Sequence, residues 1–571
     1  MVSWKMQNNK IKDKNTLKWL FSVTKRQLFV VIALALISTA MSFLGVLFAF
    51  MCKNVIDSAV SGSREKLGFD LWILLGLILA QIILKFFQQW LSARASAKTE
   101  IAFKKRLFST ILKKDYGVIK EMPSGDLMTR LTNDISVISD GVINLLPSVV
   151  SMLSALIFAT ASLIIIDAKF TIIFLVGGFL VLVVASILRQ LVKSLHKKAM
   201  ETEGKLRSFF YESIGGMLMI KVFGIEERIE GISDEYQKEN YKAKLRRQYV
   251  GIFAGAGLTL VFQLGYIFAF GYSAFCLLNR LVTVGTVTAI LQLVNQIQTP
   301  FAGITGIMPR YFGVLASAER VLEIENIADD KGLGKKEINP DKTYKKLSSI
   351  VFNDITFSYD REIILSGANL EIEKGDFAVI TGLSGIGKST LLKLLLGVNS
   401  PDSGEIHLSL SDGKDIQISK RTRPLFSYVP QNSLLLSGTI KEAISITKPD
   451  ATDEEIENAL KISCADGFIK EFPLGLETRI GERGLGLSEG QIQRLAIARA
   501  ILSDRSVILL DESTSALDEE TERELLANLK GLKNKTLVII SHKKASYEIC
   551  NKEIKIRNKK IYVKDIKKER C

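Results

Sequence analysis

The chain has 571 residues and a mass of 63.4 kDa, which is too long for one compact core and predicts at least two domains. Hydrophobic residues make up 47% of it and charged residues 24%, a combination that predicts apolar residues concentrated in blocks. Its 75 Lys and Arg exceed its 60 Asp and Glu and give a net charge of +15. Such a charge suits nucleic acid, anionic lipid headgroups or the cytoplasmic loops of a membrane protein, so the positions of the charges must decide.

The cysteines and histidines exclude two classes of site. The five cysteines form neither a CxxC pair nor any other metal-ligand spacing, and the whole chain contains three histidines. We therefore expect neither a zinc site nor a disulfide framework.

Six apolar segments are long enough to cross a membrane, which takes roughly 20 residues of helix. Five of them contain no charged residue, and the remaining one contains Lys85, whose long side chain can reach the headgroup region. The first segment lacks a small-residue cleavage site, so we expect it to be retained rather than removed as a signal peptide. In chain order the segments cover residues 28–51, 71 onwards, 141–166, 170–188, 249–279 and 281–309.

The basic residues lie on one side of these segments. Residues 1–27, 89–140 and 189–248 contain 29 Lys and Arg, and the three short loops on the other side contain five. This asymmetry predicts a cytoplasmic N-terminus and a topological origin of the positive charge rather than nucleic-acid binding. The two long basic segments are rich in Lys, Glu, Ala and Leu, so we expect them to be helices that extend the membrane spans into the cytosol.

The composition changes after the sixth apolar segment. Residues 319–348 are charged and contain Gly332, Gly334 and Asn339-Pro340, which is typical of a linker. Short β-branched runs that alternate with helical patterns follow, and they indicate an α/β domain. The sequence thus predicts an all-α transmembrane domain of six helices over residues 1–318, a linker over 319–348 and an α/β domain over 349–571.

A phosphate-binding loop opens the chemistry of the second domain. Residues 378–381 read as a buried strand, the sequence GLSGIGKS follows over 382–389, and a helical pattern continues over 390–397. In this strand–loop–helix context, backbone N–H groups wrap phosphate oxygens, Lys388 reaches the outer phosphates and Ser389 ligates Mg²⁺. The alternative is a glycine-rich turn that matches the P-loop motif by chance.

A second buried strand, predicted over residues 506–510, ends in two carboxylates. Asp511 can bind Mg²⁺, and Glu512 can orient or deprotonate the attacking water. Acidic residues at a strand end are often simply turn formers, but the P-loop makes a P-loop NTPase the stronger interpretation.

Between these motifs lies the sequence LSEGQ, residues 487–491, which leads into a helical pattern. Ser488 and Gln491 also have the spacing of a capping box, so a purely structural role is possible for both. Here the sequence resembles the ATPases of the ABC transporters, whose signature motif is usually written LSGGQ. The resemblance implies that the signature of one subunit completes the ATP site of another, so that two ATPase domains sandwich two nucleotides.

The other family markers follow in the family's order. Tyr359 matches the adenine-stacking aromatic, Gln431 the Q-loop, Ser515-Ala516-Leu517-Asp518 the D-loop and His542 the switch histidine. The resemblance implies catalysis by Glu512, His542 and Gln431, and metal binding by Ser389, Gln431 and Asp511. It implies ATP contacts from Tyr359, Gly382, Ser384, Gly385, Gly387, Lys388, Ser389, Thr390, Gln431, Ser488, Gly490, Gln491 and Asp518.

One position departs from the common signature. Glu489 places a carboxylate in the first turn of a helix whose N-terminus should face a phosphate. Because Ser488 and Gly490 are retained, we expect the side chain of Glu489 to point away from the nucleotide.

Membrane helices fused in front of one ATPase domain are similar to the exporter class of ABC transporters. The segments 123–134 and 215–226 are similar to the regions around the coupling helices of exporters. The resemblance implies ATP- and Mg²⁺-dependent export of a drug, lipid or peptide across the plasma membrane, with the ATPase domain in the cytoplasm. We expect a second copy of the chain or a related half-transporter as partner, besides membrane lipids, and no nucleic acid. An ATP-gated channel or regulator is the other class of function.

The sixth segment contains a polar stripe. Gln292, Asn295, Gln296 and Thr299 recur at helical spacing on one face. The stripe fits a substrate pathway and fits interhelical hydrogen bonding equally well.

Overall fold

The structure is a computed structural model, and it describes residues 16–566 except 17, 23, 335, 360, 361, 482, 483, 485 and 533. The side chains of residues 177, 179–193, 302, 304, 305 and 308 are also outside the description. The chain divides into a helical unit, Met1–Leu107 with Met128–Glu323, and a sheet unit, Phe108–Leu127 with Ile324–Cys571. Residues 1–15, part of the first predicted cytoplasmic segment, lie outside the described residues.

Six long helices account for most of the helical unit, and each predicted span corresponds to one of them. The long helices are α1 (Leu28–Val60), α2 (Arg64–Ile111), α5 (Ile135–Ile166), α6 (Ala168–Gly215), α8 (Glu226–Leu278) and α9 (Val284–Glu325). The shorter described elements of this unit are a 3₁₀ turn at Lys25–Gln27, a π-helical turn at Arg130–Asp134 and α7 at Met217–Phe223. Of the two short helices between α2 and α5, α3 (Tyr116–Glu121) belongs to the sheet unit, and α4 (Ser124–Thr129) includes residues of both units.

Four helical stretches of the described chain are long and apolar enough to cross a membrane. They are Leu28–Val60, Arg64–Ile111, Ser124–Ile166 and Glu226–Leu278. The other two predicted spans lie in α6 and α9, where part of the side chains is not described. Since α2, α6 and α8 run far past their apolar segments without interruption, the expected helical extensions are confirmed.

Two aspartates determine where neighbouring long helices end and begin. Asp167 follows α5, and its side chain accepts a hydrogen bond from Phe170 N at 2.9 Å, so α6 starts at Ala168 and one residue separates the two helices. Asp57 accepts a hydrogen bond from Gly285 N at 3.0 Å. It also accepts one from Thr283 Oγ1 at 2.9 Å, which is why α9 starts at Val284 rather than at residue 281.

A buried carboxylate joins α5 to α9. Asp134, which is 0% exposed, ends the π-helical turn. It accepts hydrogen bonds from Ser317 Oγ at 2.9 Å and from Arg320 Nε at 2.7 Å. Arg130, one π-turn earlier, forms an ion pair with Glu323 at 3.0 Å. Two facing charge pairs, whose members are four residues apart on one element and three on the other, therefore fix the register between them.

The sheet unit contains three sheets. A four-stranded antiparallel sheet has the order β2-β1-β4-β5, a six-stranded sheet has the order β12-β11-β3-β10-β9-β6, and β7 pairs with β8. The strands are β1 (Leu347–Tyr359), β2 (Glu362–Glu373), β3 (Phe377–Thr381), β4 (Ser403–Leu410), β5 (Asp415–Gln417), β6 (Phe426–Val429), β7 (Gly438–Thr439), β8 (Arg479–Ile480), β9 (Val507–Asp511), β10 (Thr536–Ile540), β11 (Lys552–Arg557) and β12 (Lys560–Asp565).

The helices of the sheet unit pack on these strands. The 3₁₀ turns lie at Lys420–Leu425 and Gly475–Glu477. The helices are α10 (Pro340–Lys346), α11 (Lys388–Leu395), α12 (Ile440–Ser445), α13 (Asp453–Ile462), α14 (Asp466–Glu471), α15 (Glu489–Leu502), α16 (Glu519–Lys530) and α17 (Lys544–Ile549).

The parallel core of the six-stranded sheet positions the candidate site. Ile540 of β10 pairs with Ile380 of β3 on one side and with Asp511 of β9 on the other. β3, β9 and β10 are almost completely buried, because both faces of a parallel sheet are covered. Their carboxyl ends therefore meet at one edge, which is where ligands of open α/β sheets bind.

The predicted linker over residues 319–348 begins and ends inside regular structure. Helix α9 continues to Glu325, and β1 already starts at Leu347. Between them, Asn339 caps α10 by accepting a hydrogen bond from Lys342 N at 2.9 Å, with Pro340 in the first turn. Asn339-Pro340, which looked like a linker signal, is instead a helix start.

The Asp134 cluster gives a stability prediction. Arg320→Ala removes the cation beside a fully buried carboxylate, so we expect a loss of about 3 kcal/mol or more. Asp134→Asn should cost only about 1 to 2 kcal/mol, because the side chain of Arg320 is 43% exposed and can be solvated. Thermal unfolding of both variants in lipid nanodiscs checks this order, and equal losses would contradict it.

Candidate nucleotide site

The P-loop connects β3 to α11 through backbone that only glycine adopts easily. Gly382, Gly385 and Gly387 have φ values of 145°, 79° and 106°. A Cβ at Gly387 would lie 2.3 Å from Ile364 Cγ2, and one at Gly382 would lie 2.9 Å from Ile556 O. The loop is thus compact against the sheet, while Ser384 remains exposed and α11 begins at Lys388.

Lys388 is buried among acceptors. Its side chain is 5% exposed, and Nζ lies 3.0 Å from Gly382 O, 3.3 Å from Leu383 O and 3.0 Å from His542 Nε2. An ammonium group can only donate, so Nε2 of His542 is the acceptor of this contact. The carboxylate of Glu512 lies 3.8 Å away. The side chains of Lys388, His542 and Glu512 therefore lie together at the carboxyl end of the sheet.

Asp511 and Ser389 face each other across the same edge. Ser389 Oγ donates to Asp511 Oδ1 at 2.9 Å, and Tyr428 OH donates to Asp511 Oδ2 at 3.0 Å. Burial raises the pKa of Asp511 above its ordinary value, and both hydrogen bonds oppose that rise. The same burial and the neighbouring carboxylate raise the pKa of Tyr428, which keeps its hydroxyl a donor.

The backbone of Glu512 has an unusual conformation. Its φ is 49°, in the left-handed region that residues other than glycine rarely adopt. Its N–H bonds Ile540 O at 3.2 Å, and its side chain accepts from Gln431 Nε2 at 2.7 Å. Strain of this kind persists where the surroundings enforce it and is frequent at functional positions. Here it turns the carboxylate towards Lys388 and Gln431.

Tyr359 is held at a distance from the phosphate loop. The ring is 41% exposed, as a stacking surface must be, and packs edge-on against Phe357 with centroids 4.9 Å apart. Asn399 Nδ2 donates to Tyr359 OH at 2.8 Å. Asn399 follows α11 closely, so one helix carries the P-loop residues at its start and positions this ring beyond its end.

The signature residues pack against the D-loop. Ser488 and Gln491 form the capping box of α15, so their structural role is real. A Cβ at Gly490 would lie 3.0 Å from Ala516 O, which explains the glycine. Asp518 caps α16 by accepting a hydrogen bond from Thr521 N at 2.9 Å, and this bond lowers its pKa. Glu489 is exposed.

The structure thus brings part of the predicted set together. Side-chain contacts link Lys388, Gln431, Glu512 and His542, and a hydrogen bond links Ser389 to Asp511, which are the chain neighbours of Lys388 and Glu512. Within the described part of the chain, no hydrogen bond joins Ser488, Gly490 or Gln491 to that cluster. Thr390 is buried behind the loop in α11.

Sequence reasoning missed four residues that support these motifs. Tyr428 and Asn399 contact Asp511 and Tyr359 as described above. Gln493, 1% exposed, accepts from Ala516 N at 3.1 Å, and Lys543 Nζ donates to Thr514 O and Leu517 O, both at 2.9 Å. Their only signal in the sequence is a polar side chain next to a motif, which is too common to select them.

The four residues of the polar stripe on α9 have different environments. Gln296 Nε2 donates to Gly45 O of α1 at 2.8 Å, and Thr299 Oγ1 donates to Asn295 O at 2.9 Å within its own helix. Asn295 and Thr299 are exposed on the described chain. Gln292 Oε1 is buried without a hydrogen-bond partner among the described residues. Gln296 therefore serves as interhelical contact, and a pathway role for the stripe stays a prediction.

Comparison with known proteins identifies the family. The profile of the ABC transporter transmembrane region matches residues 28–301, and the ABC transporter profile matches residues 365–515. A candidate multidrug export ATP-binding/permease protein, YgaD of Bacillus subtilis (strain 168), is 27% identical over 94% of this chain and 93% of its own length.

Two further relatives agree with this. A protein of Staphylococcus aureus (strain NCTC 8325 / PS 47) with the same kind of name is 28% identical, with the same shares of both chains covered. The solved structure of a bacterial Atm1-family ABC exporter with ATP bound matches with a TM-score of 0.81 at 20% identity, covering 96% of each chain. The chain belongs to the ABC transporters, as an exporter-type half-transporter whose fused ATPase domain couples ATP hydrolysis to transport across a membrane.

Proposed function

We propose that two copies of this chain form a homodimeric exporter that moves amphipathic compounds out across the plasma membrane. The observation that carries the proposal is the cluster of Lys388, Glu512, Gln431 and His542 at the carboxyl edge of the sheet, with the hydrogen-bonded pair of Ser389 and Asp511 beside it in the chain. Together these residues supply the groups that ATP hydrolysis needs, so the chain needs no other type of subunit to provide an acid or a base.

The proposed roles follow from the contacts. Backbone N–H groups of the P-loop and Lys388 bind the phosphates, and the ring of Tyr359 stacks on the adenine. Glu512, whose carboxylate already accepts from Gln431, orients and deprotonates the attacking water. His542, whose Nε2 lies beside Lys388, is placed to contact the terminal phosphate and to position it.

Ser389 and Asp511 fit a magnesium ion. Magnesium takes one or two protein carboxylates together with phosphate oxygens and water, so it does not need a cluster of acids, and the described residues contain no group of three such ligands. Ser389 Oγ and Asp511 Oδ1 are 2.9 Å apart, and Gln431 is the third residue that would contact the ion. When bound, Mg²⁺ neutralises charge on the transferred phosphate.

A second copy completes the site. Ser488 is exposed and Gln491 half-buried at the start of α15, and no described hydrogen bond ties them to the P-loop of the same chain. A helix N-terminus that is capped but open to solvent suits a phosphate supplied by another subunit. Gly490 keeps its close approach to Ala516, and the exposed Glu489 is free to point away from that phosphate.

Amphipathic cargo is the class that the membrane half suits. Lys85 is the only ionised residue in the six apolar segments, which disfavours a strongly charged binding pocket. Asn295 and Thr299 add exposed amide and hydroxyl groups to the uncharged segment 281–309. The names of the relatives from Bacillus subtilis and Staphylococcus aureus point to the same class. The basic composition of segments 89–140 and 189–248 supports a cytoplasmic position of the ATPase domain.

Tyr428 tunes the pH dependence of hydrolysis. Tyr428→Phe removes one of the two hydrogen bonds that stabilise the Asp511 carboxylate, so the pKa of Asp511 rises further. Protons then displace magnesium at a higher pH, and the acid limb of the ATPase profile should move up by about 0.5 to 1 pH unit, the effect of one hydrogen bond. Tyr344→Phe is the matched control, because it removes the hydrogen bond between the buried hydroxyls of Tyr344 and Thr536. An unmoved limb would contradict the assignment.

The self-sufficiency of the chain is tested by Mg²⁺-dependent ATP hydrolysis of the purified protein in lipid bilayers. We expect steady turnover by the wild type and a loss of about a hundredfold or more in Glu512→Gln, the size of a general-base contribution. Amphipathic dyes should then stimulate turnover of the wild type only. A folded wild type no more active than Glu512→Gln would refute the homodimer and indicate a related half-transporter as the missing partner.

A further inference from the structure

The ends of two long helices meet the linker at one point in the sheet unit. Lys113, Lys114 and Asp115 follow α2, and Ala328, Asp329 and Asp330 follow α9; we call these six residues the junction. Asp115 N donates to Ala328 O at 3.0 Å, and Asp330 N donates to Lys113 O at 2.9 Å. Lys114 and Asp329 face each other as an antiparallel bridge. Backbone hydrogen bonds thus join the two strands of the junction.

Lys114 strengthens the junction with its side chain. Nζ donates to Glu325 O, the last residue of α9, at 2.8 Å and to Asp329 Oδ1 at 2.8 Å. The side chain is 9% exposed although it carries a charge. A lysine that binds the last carbonyl of a helix is favoured by the helix dipole. Lys114 therefore couples the end of α2 to the end of α9.

The junction continues to the P-loop helix through one arginine. Arg423 makes two parallel bonds to the carboxylate of Asp330, of 2.5 and 2.9 Å. The same guanidinium donates to Leu396 O at 3.2 Å and to Gly397 O at 2.8 Å, the carbonyls at the end of α11. Only 11% of the Asp330 side chain and 28% of Arg423 are exposed, so solvent screens the pair weakly. A forked, bidentate contact of this kind fixes direction as well as distance.

Both ends of the bound nucleotide depend on α11. Lys388 and Ser389 stand at its start, and Asn399, two residues past Gly397, holds the hydroxyl of Tyr359. A shift of the helix end by Arg423 therefore moves the phosphate contacts and the adenine contact together. None of Lys114, Asp330 and Arg423 belongs to the ABC motifs that the sequence displays.

We propose that Asp330 and Arg423 are positioning residues that transmit ATP binding from the P-loop helix to the ends of α2 and α9 through the junction. The inference rests on the proposed ATP-driven rearrangement and adds a route to it. Arg423 keeps its bonds to Leu396 and Gly397 when Asp330 is neutralised, so α11 stays capped in that variant. Loss of Asp330 or of Lys114 should then disconnect the two ends of the route without damaging the ATP site.

Tryptophan fluorescence reads the far end of the route. All four tryptophans of the chain, Trp4, Trp19, Trp72 and Trp90, precede residue 107, and the sheet unit contains none. An ATP-dependent change in their emission therefore reports on the helical unit alone. The experiment uses the full chain in lipid nanodiscs, with Mg²⁺-ATP and vanadate as the probe, and compares wild type, Asp330→Asn, Lys114→Ala and the double variant.

We expect both single variants to hydrolyse ATP with a KM within about twofold of wild type, because Arg423 keeps its bonds to Leu396 O and Gly397 O and neither substitution touches an ATP contact. The ATP-dependent fluorescence change should fall by more than half in each, and no further in the double variant, because both substitutions cut the same route. Asp412→Asn, which breaks the exposed pair of Lys346 and Asp412 in the same unit, is the matched control and should retain the full change.

Full fluorescence amplitude in Asp330→Asn and Lys114→Ala would overturn the inference. So would a parallel loss of hydrolysis and fluorescence, which would mark a defect of the ATP site, and so would additive losses in the double variant. A wild type that hydrolyses ATP without any fluorescence change would instead contradict the proposed function itself. Melting temperatures near that of the Asp412→Asn control show that the variants are folded.

Discussion

The buried charge of Lys388 is the constraint around which the nucleotide site is built. An ammonium group that is 5% exposed is costly unless every one of its protons has an acceptor. Two P-loop carbonyls and His542 supply them, and Glu512 adds a negative charge at 3.8 Å. These groups come from β3, β9 and β10, so the lysine can be buried only when the parallel sheet is formed with its carboxyl ends in register.

The strained backbone of Glu512 follows from the same constraint. With φ at 49°, the residue turns its carboxylate back towards Lys388 and Gln431 instead of continuing the strand. The chain then continues through Thr514 into the D-loop. The carbonyl oxygens of Thr514 and Leu517 accept hydrogen bonds from Lys543, the residue after His542. Gln493, which lies on the signature helix α15, accepts a hydrogen bond from Ala516 N of the D-loop. The strand end, switch histidine and signature are therefore linked through side chains that carry no motif of their own.

Much of this could be predicted from sequence, for physical reasons. Uncharged segments of membrane length stand out against any background, and the P-loop glycines are demanded by backbone that other residues avoid. Helix limits were less predictable because tertiary contacts set them: Asp57 delays the start of α9, and Asn339 converts a linker signal into a helix cap. Arg423 and Lys114 were missed because their partners are distant in sequence. No spacing rule joins residues that the fold alone brings together.

The decisive measurement is complementation between two inactive chains. Lys388→Ala disables the P-loop, and Ser488→Arg blocks the signature, so homodimers of either variant should not hydrolyse ATP. Co-assembled in one lipid particle, the two chains form one site with an intact P-loop from one and an intact signature from the other. Recovery of hydrolysis in the mixture, abolished by adding Glu512→Gln to the Ser488→Arg chain, is the predicted result. No recovery in a mixture shown to contain both chains would contradict a site shared between two copies.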